Sequence, residues 1–223
     1  MQVVDIKQSE ALTLPRRAEK TGVRFEQVQD PERRDQCYRL RYDVFVEEQG
    51  LTTSANSTFR ILADELDESA VLLGAFDGDE AVATSRINYT DHERSPYRAL
   101  YDLDEQEAAL PGRVSVISKL VIATSHRHSS VFLRFCRYMY RQQLERNIAH
   151  CFVGCAPALA GLYAKLGFRP YKAAIDVEGF GPIQPMLLDV FNEAYLNEIR
   201  SPLLPILKVL KNTGSVTKGN ENE

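Results

Sequence analysis

An α/β sandwich built on a mixed, largely antiparallel sheet is the fold that this 223-residue sequence predicts. Three observations point to it. Short segments with strand periodicity alternate with helical ones along the chain. The turn Asp77-Gly78-Asp79-Glu80 joins two of the strand-like segments into a hairpin. A Val- and Ile-rich run, Arg113 to Ala123, then leads into a helix with a single apolar face and on into another strand.

Val23, Phe25 and Gln27 alternate as a first strand over Val23 to Gln29. Asp30 supplies an N-cap oxygen and Pro31 a pre-set first helical residue. Cys37, Leu40, Val44 and Phe45 recur at helical spacing, which carries this helix to about Glu48. Gly50 to Thr58 is rich in Ser, Thr and Asn and reads as a loop. Arg60 to Leu66, Val71 to Phe76 and Ala81 to Tyr89 read as strands, followed by an acidic helical stretch around Asp102 to Leu110. After the strand 113–123 comes a helix from His128 to Arg146, with Val131, Phe132, Phe135, Cys136 and Met139 on one face. Cys151 to Val153 is a strand, Pro157 to Leu166 a helix, and Tyr171 to Val177 with Pro185 to Val190 a closing pair. Residues 1–20 are polar and aperiodic and read as an arm, 21–200 as the folded domain, and 201–223 as a C-terminal tail whose last ten residues are expected to be disordered.

Composition narrows the function. The first twenty residues hold Arg16, Arg17 and Lys20 but no apolar run, so neither a signal peptide nor a transmembrane segment is expected. Cys37, Cys136, Cys151 and Cys155 fit no disulfide or zinc spacing, which suits a reducing, cytoplasmic setting without a bound metal. The net charge of −4 hides an asymmetry. Arg113 to Lys172 holds ten Lys or Arg residues against one acid, Glu145. A basic surface on an acidic protein suggests an anionic partner there, and without a recognition motif nucleic acid is not expected.

Gly161-Leu162-Tyr163-Ala164-Lys165-Leu166-Gly167-Phe168 combines a short helix, a tyrosine and a Leu-Gly-Phe exit. Taken alone it also fits a helix end with Gly167 at the left-handed cap position. Its place, after a strand and a helix opened by Pro157, resembles the GNAT superfamily of N-acyltransferases. Upstream, Tyr38 to Gln49 is similar to the branch that holds acyl-homoserine lactone synthases and N-acyl amino acid synthases. Arg41 and Phe45 stand as in that branch's Arg-x-x-Val-Phe, Asp64 and Asp67 as in its acidic motif, Arg86 in Thr84-Ser85-Arg86-Ile87, and Ser118-Lys119 at its Ser-Arg pair. Each taken singly is ordinary surface charge, and four in order over some 80 residues make the resemblance specific.

The resemblance implies a GNAT-like three-layer α/β/α sandwich and an N-acyltransferase joining a fatty acyl thioester to a small amine. It implies Tyr163 as general acid toward the leaving thiolate, with Asp64, or a water held by it, as a guess for the base. Arg41, Asp67, Arg86 and Lys119 would shape the acceptor site. A splayed strand at Leu120, Val121 and Ile122 would bind the pantetheine, and Arg127, Ser129 and Ser130 its phosphate. That phosphate loop normally carries glycines, whereas Arg127-His128-Ser129-Ser130 has none. The departure leans toward the single phosphate of an acyl carrier protein over the coenzyme A pyrophosphate, with no permanently bound cofactor. Arg134, Arg137 and Arg141 would form a basic ridge for such an acidic carrier. Other departures are Leu62 and Val116 where glutamates are expected, and the absence of tryptophan near Leu51. These turn the acceptor away from S-adenosylmethionine and toward an amino acid. A lactone synthase, an ornithine N-acyltransferase and a catalytically silent thioester sensor remain as alternatives. Chain length, oligomeric state and contact with a membrane surface stay open.

Overall fold

The computed structural model describes residues 22–51, 55–89, 97–104 and 112–214. Its sheet has eight strands. β1 (Arg24–Gln27), β2 (Val71–Asp77), β3 (Glu80–Tyr89) and β4 (Arg113–Ile122) follow one another antiparallel. β5 (Ile148–Cys155) then joins β4 in parallel, the one parallel pair among the described strands. β8 (Gly181–Asp189) runs antiparallel to β5 and carries the short strands β6 (Arg169–Pro170) and β7 (Ile175–Val177). The mixed, largely antiparallel sheet is therefore present, with a helical crossover at its only parallel step, as a parallel pair requires.

Side-chain alternation separates the two faces. Val114, Val116 and Phe152 pack on one side with Tyr97 and Tyr101, near the short helix α2 (Tyr97–Leu100). On the same side, α1 (Pro31–Tyr42) reaches the sheet through Arg41 and Asp67 to Arg86 of β3. The other side belongs to α3 (Val131–Glu145). There Gln143 accepts from Ser115 Oγ at 2.7 Å, and Phe135 stacks on Phe25 of β1 at 5.9 Å between ring centres. Helix, sheet and helix make the three layers.

Capping explains α1. Asp30 accepts from the Arg33 amide at 3.0 Å, and Pro31 opens the first turn. The helix then widens into a π-helical stretch, Asp43–Glu48, a form that recurs at functional sites. The segment 60–66 is not a strand. Arg60 adopts a left-handed φ of 53°, and a short 3₁₀ turn follows at Glu65–Asp67. Asp64 and Asp67 account for this: Asp64 Oδ1 accepts from Leu66 N and Asp67 Oδ2 from Asp64 N, both at 3.0 Å. Side chains that satisfy their own backbone compete with a sheet ladder.

Of the acidic helical stretch 102–110, only the first residues fall among those described, as does none of the arm 1–20. The chain beyond Glu193 is more ordered than a tail. α5 (Glu193–Glu198) and α6 (Leu204–Asn212) pack back on the domain, with Leu196, Leu203, Leu207 and Leu210 buried. Arg137 Nε of α3 holds this segment through the Pro202 carbonyl at 3.0 Å. Leu203, Leu207 and Leu210 face inward at every third or fourth residue, so the stretch is an amphipathic helix with Pro205 in its first turn. The last residues of the expected tail, 215–223, lie outside the described ones.

Candidate active site

The site begins where two strands part. β4 and β5 pair from Arg113 with Ile148 to Ile117 with Val153, yet β4 runs on to Ile122 and β5 to Cys155. Beyond Ile117, β4 is bonded only to β3, with Thr84 opposite Val121 and Ala83 opposite Ile122. Leu120, Val121 and Ile122 therefore stand beside an open wedge, as the sequence reading expects. A bulge sets the wedge's edge. Arg86 faces Ser118 and Thr84 faces Val121, so Lys119 and Leu120 together oppose Ser85, with Lys119 at φ 54°. Bulges bend a strand and re-aim its side chains, and they gather beside active sites.

On the α1 face of the wedge lies a charged network. Arg86, 1% exposed, donates from Nη2 to Asp64 Oδ2 at 3.1 Å and to Tyr97 Oη at 2.9 Å, from Nε to Ser118 Oγ at 2.9 Å, and from Nη1 to Asp64 Oδ1. It also pairs with Asp67 Oδ2 at 2.8 Å, while Asp67 Oδ1 accepts from Arg41 Nη1 at 2.8 Å. Arg41 is wholly buried, and its Nε and Nη2 have no partner among the described residues. Lys119 Nζ lies 3.8 Å from Asp64 Oδ2 and 4.0 Å above the centre of the Phe180 ring, with Phe45 at 5.7 Å. The six residues singled out here from separate stretches of sequence, Arg41, Asp64, Asp67, Arg86, Ser118 and Lys119, are thus brought together.

Their environment sorts their roles. Burial raises the Asp64 carboxyl, but the Arg86 hydrogen bond and charge, with Lys119 and the Leu66 amide, outweigh it and leave it below the ordinary carboxylate range. A carboxylate so held is a weak base, which argues against Asp64 as the base. Lys119 moves the opposite way: burial, assisted by Arg86 and Arg41 and resisted by Asp64, lowers its ammonium to about 8. Arg86 and Arg41 are each paired with a carboxylate and closed to solvent, whereas the Lys119 and Asp64 side chains keep 11% and 30% of their exposure. Those two form the accessible edge of the network.

The α3 face of the wedge is apolar. A narrow cavity of about 30 Å³ is lined by Ile117 and Leu120 of β4, Met139 of α3, Tyr163 and Leu166 of the helix α4 (Ala160–Leu166), and Leu203. Leu203 brings the C-terminal segment into this wall. Apolar surroundings push the Tyr163 hydroxyl well above the ordinary tyrosine range, so it stays a proton donor. Its ring packs edge-on against Phe168 at 5.7 Å. Gly167 ends α4 at φ 120°, and a Cβ there would meet Leu196 at 2.7 Å. The glycine thus serves both the turn and the close approach of α5.

The expected phosphate loop is differently engaged. His128 takes φ 61°, the conformation for which a glycine would be the default. Ser129 Oγ donates to His126 O at 2.6 Å and accepts from Val131 N at 3.2 Å, which uses one of the amides at the start of α3. Ser130 is buried at the N-cap position of that helix. Arg127 donates from Nε to Ile122 O at 3.1 Å and pairs through Nη2 with Glu48 at 2.5 Å, while Glu48 also accepts from Thr124 Oγ1 at 2.5 Å. Of the expected basic ridge, Arg134 donates to Val23 O at 3.1 Å and stacks on Phe25, and Arg137 holds Pro202. Arg141 pairs at the surface with Glu145. Two of these three arginines tie the ends of the chain to α3. Sequence reasoning gave no role to Glu48, though it lies in the stretch Tyr38 to Gln49, and passed over Phe180 and Tyr97, which belong to no motif and reach the site only through the fold.

Comparison with known proteins agrees with this layout. The family model described as N-acyl amino acid synthase FeeM matches residues 36–189, which include both faces of the wedge. Among solved structures, FeeM, an N-acyl amino acid synthase from uncultured soil microbes, superposes with a TM-score of 0.67 at 17% identity, covering 80% of this chain and 97% of its own. BjaI, a coenzyme A-dependent acyl-homoserine lactone synthase solved with SAM and isopentyl-CoA, does so at 0.59 and 21%, covering 77% and 83%. The AHL synthase LasI follows at 0.57 and 16%, covering 75% and 88%. At such identities these likenesses establish the GNAT-like fold. No curated protein matches the sequence. The family match spans most of the chain and every residue of the charged network, and the protein accordingly belongs to the FeeM family of N-acyl amino acid synthases and is an N-acyltransferase.

Proposed function

We propose that the protein transfers a fatty acyl group from the phosphopantetheine thioester of an acyl carrier protein to the amine of an amino acid or a similar small amine. The observation that carries this reading is the wedge between β4 and β5, with a phenol and an apolar cavity on one face and a charged network on the other. A thioester lying in the wedge would present its carbonyl between the two. Its pantetheine would bond to the open edge of β4 at Leu120 and Val121, beside the Ile122 carbonyl that Arg127 holds, and its chain would enter the cavity, which Met139, an unbranched side chain, can widen.

The network favours an acceptor with a carboxylate. Arg41, Arg86 and Lys119 carry three positive charges against two on Asp64 and Asp67, and the surplus sits at Lys119, on the accessible edge. An acceptor carboxylate at Lys119 would supply the missing negative charge. Arg41 and Arg86 then act from behind, by holding Asp64 and Asp67 in place. The free amine attacks the thioester carbonyl, and Tyr163 protonates the departing thiolate. A carrier-borne donor is supported by the loop at 127–130, where a Cβ at His128 and the Ser129 hydrogen bonds leave less backbone for a pyrophosphate.

The reading is tested with the purified chain, dodecanoyl thioesters on acyl carrier protein and on coenzyme A, and each amino acid beside its decarboxylated amine. Thiol release and mass spectrometry report the product. Carrier-linked donor and amino acid are expected to give the higher kcat/KM. Better use of coenzyme A would overturn the donor, and better use of the simple amine would overturn the acceptor.

A further inference from the structure

Tyr101 belongs to no motif, yet it stands at the point where β4 and β5 part. Its side chain is 3% exposed and lies against Tyr97 and Phe152, with ring centres 5.8 and 6.4 Å away. Buried tyrosines ordinarily find a partner for the hydroxyl. Among the described residues, Tyr101 bonds through its amide and its carbonyl and not through its hydroxyl. It lies over Gly154, where an added Cβ would come within 2.6 Å of Oη. Gly154 is the first β5 residue beyond the last pair with β4, so the hydroxyl points to the apex of the wedge.

The surroundings hold it there. Tyr171 Oη donates to the Tyr101 carbonyl at 3.0 Å, and Lys172 Nζ to the Leu100 carbonyl at 2.9 Å and to Asp102 at 2.5 Å. Asp102 adopts a φ of 51°, a conformation that persists where neighbours over-determine it. Two donors from one loop thus fix the backbone on either side of a side chain whose hydroxyl no described residue engages. A phenylalanine would fill the same apolar space, so packing does not explain the hydroxyl. Burial pushes it above the ordinary tyrosine range, so it remains a donor.

We propose that Tyr101 is a further catalytic residue, whose hydroxyl donates a hydrogen bond to the thioester carbonyl oxygen at the apex of the wedge. The proposal rests on the acyl-transfer reading above. As the amine nitrogen bonds to the carbonyl carbon, the C=O π pair moves onto that oxygen, where the Tyr101 hydrogen bond strengthens. When the pair returns, the C–S bond breaks and the sulfur leaves with a proton from Tyr163. The new amide nitrogen gives its extra proton to solvent, from which Tyr163 recovers its own. Tyr101 neither gains nor loses a proton.

The test uses the full chain, with dodecanoyl thioesters as donor and the best amino acid acceptor. Tyr101→Phe is expected to lower kcat by about a hundredfold, in the range for loss of one such donor, with both KM values and the melting temperature nearly unchanged. Gly154→Ala is expected to lower kcat in the parent by displacing the hydroxyl. It should cost less in the Tyr101→Phe background, where only Ile183 still crowds the new methyl. Parent-like kcat in Tyr101→Phe overturns the proposal, as does an equal loss from Gly154→Ala in both backgrounds. A parent chain that forms no N-acyl product overturns the acyl-transfer reading along with it.

Discussion

The two faces of the wedge are built on opposite physics. The α3 face is mostly hydrocarbon, with the phenols of Tyr140 and Tyr163 and the amide of Gln143 among it, and its apolar side chains are interchangeable in kind provided volume is kept. The α1 face is a closed set of ions in which each charge is held by another, so that losing one member strands the rest. Chemistry on the first face should be separable from folding, whereas on the second the two are entangled. Tyr163 can lose its hydroxyl without leaving a hole. Arg86 cannot lose its guanidinium without leaving buried Asp67 to Arg41 alone and Asp64 to Lys119 at 3.8 Å.

The largest effect is therefore expected from Arg86→Ala. It should cost about 3–5 kcal/mol of stability, as removal of one member of a buried ion pair does, and urea unfolding near neutral pH would measure it. A loss below about 1 kcal/mol would show the network to be soft, and the contrast between the faces would collapse. Tyr163→Phe should leave the urea midpoint almost unmoved and slow turnover by about a hundredfold or more, the lower range for a positioned general acid. Parent-like turnover removes Tyr163 from the mechanism.

Lys119 sharpens the comparison because it belongs to both folding and function. Its folded pKa of about 8 lies below the unfolded value of 10.5, so the folded chain holds this proton less tightly. The buried charge therefore opposes folding below about pH 8, and the opposition fades as pH rises from there toward 10.5. Lys119→Met is expected to stabilise the protein by about 1–3 kcal/mol at pH 7, with a gain that shrinks by pH 10 in matched unfolding curves. The same variant should erase the preference for an amino acid over its decarboxylated amine. In the parent, that preference should decline as pH rises through about 8. A preference flat across this range would separate Lys119 from the acceptor's carboxylate.

The smallest effect concerns the link between the faces. The π-helical stretch carries Phe45 against Phe180 near Lys119, and Glu48 against Arg127. A donor phosphate at Arg127 must compete with Glu48. Glu48→Gln should lower the donor KM by a few-fold at most, since a pair at the surface is worth about 0–1 kcal/mol, and the gain should diminish in high salt. An unchanged or higher donor KM would mean that the phosphate lies elsewhere.

The sequence by itself determined the order of strands and helices, because alternation, the Asp30-Pro31 cap and the Asp77-Gly78 turn act through neighbours a few residues apart. It also named Arg41, Asp64, Asp67, Arg86, Lys119 and Tyr163, since their spacing survives as motif. Only the tertiary structure decided what each of them touches. Whether an arginine grips a ligand or braces a carboxylate depends on burial and on partners many residues away, as Arg41 with Asp67 shows. The 60–66 segment was misjudged because Asp64 and Asp67 satisfy backbone amides that a strand would have paired. How 203–210 packs was not legible because its apolar residues acquire meaning only against α3 and the wedge cavity. Tyr101 had no local signal at all, and Glu48 stood in the Tyr38 to Gln49 stretch without a role of its own. A side chain becomes part of a site through the gap it faces, and that gap exists only once β4 and β5 have paired as far as Ile117 and Val153 and then parted.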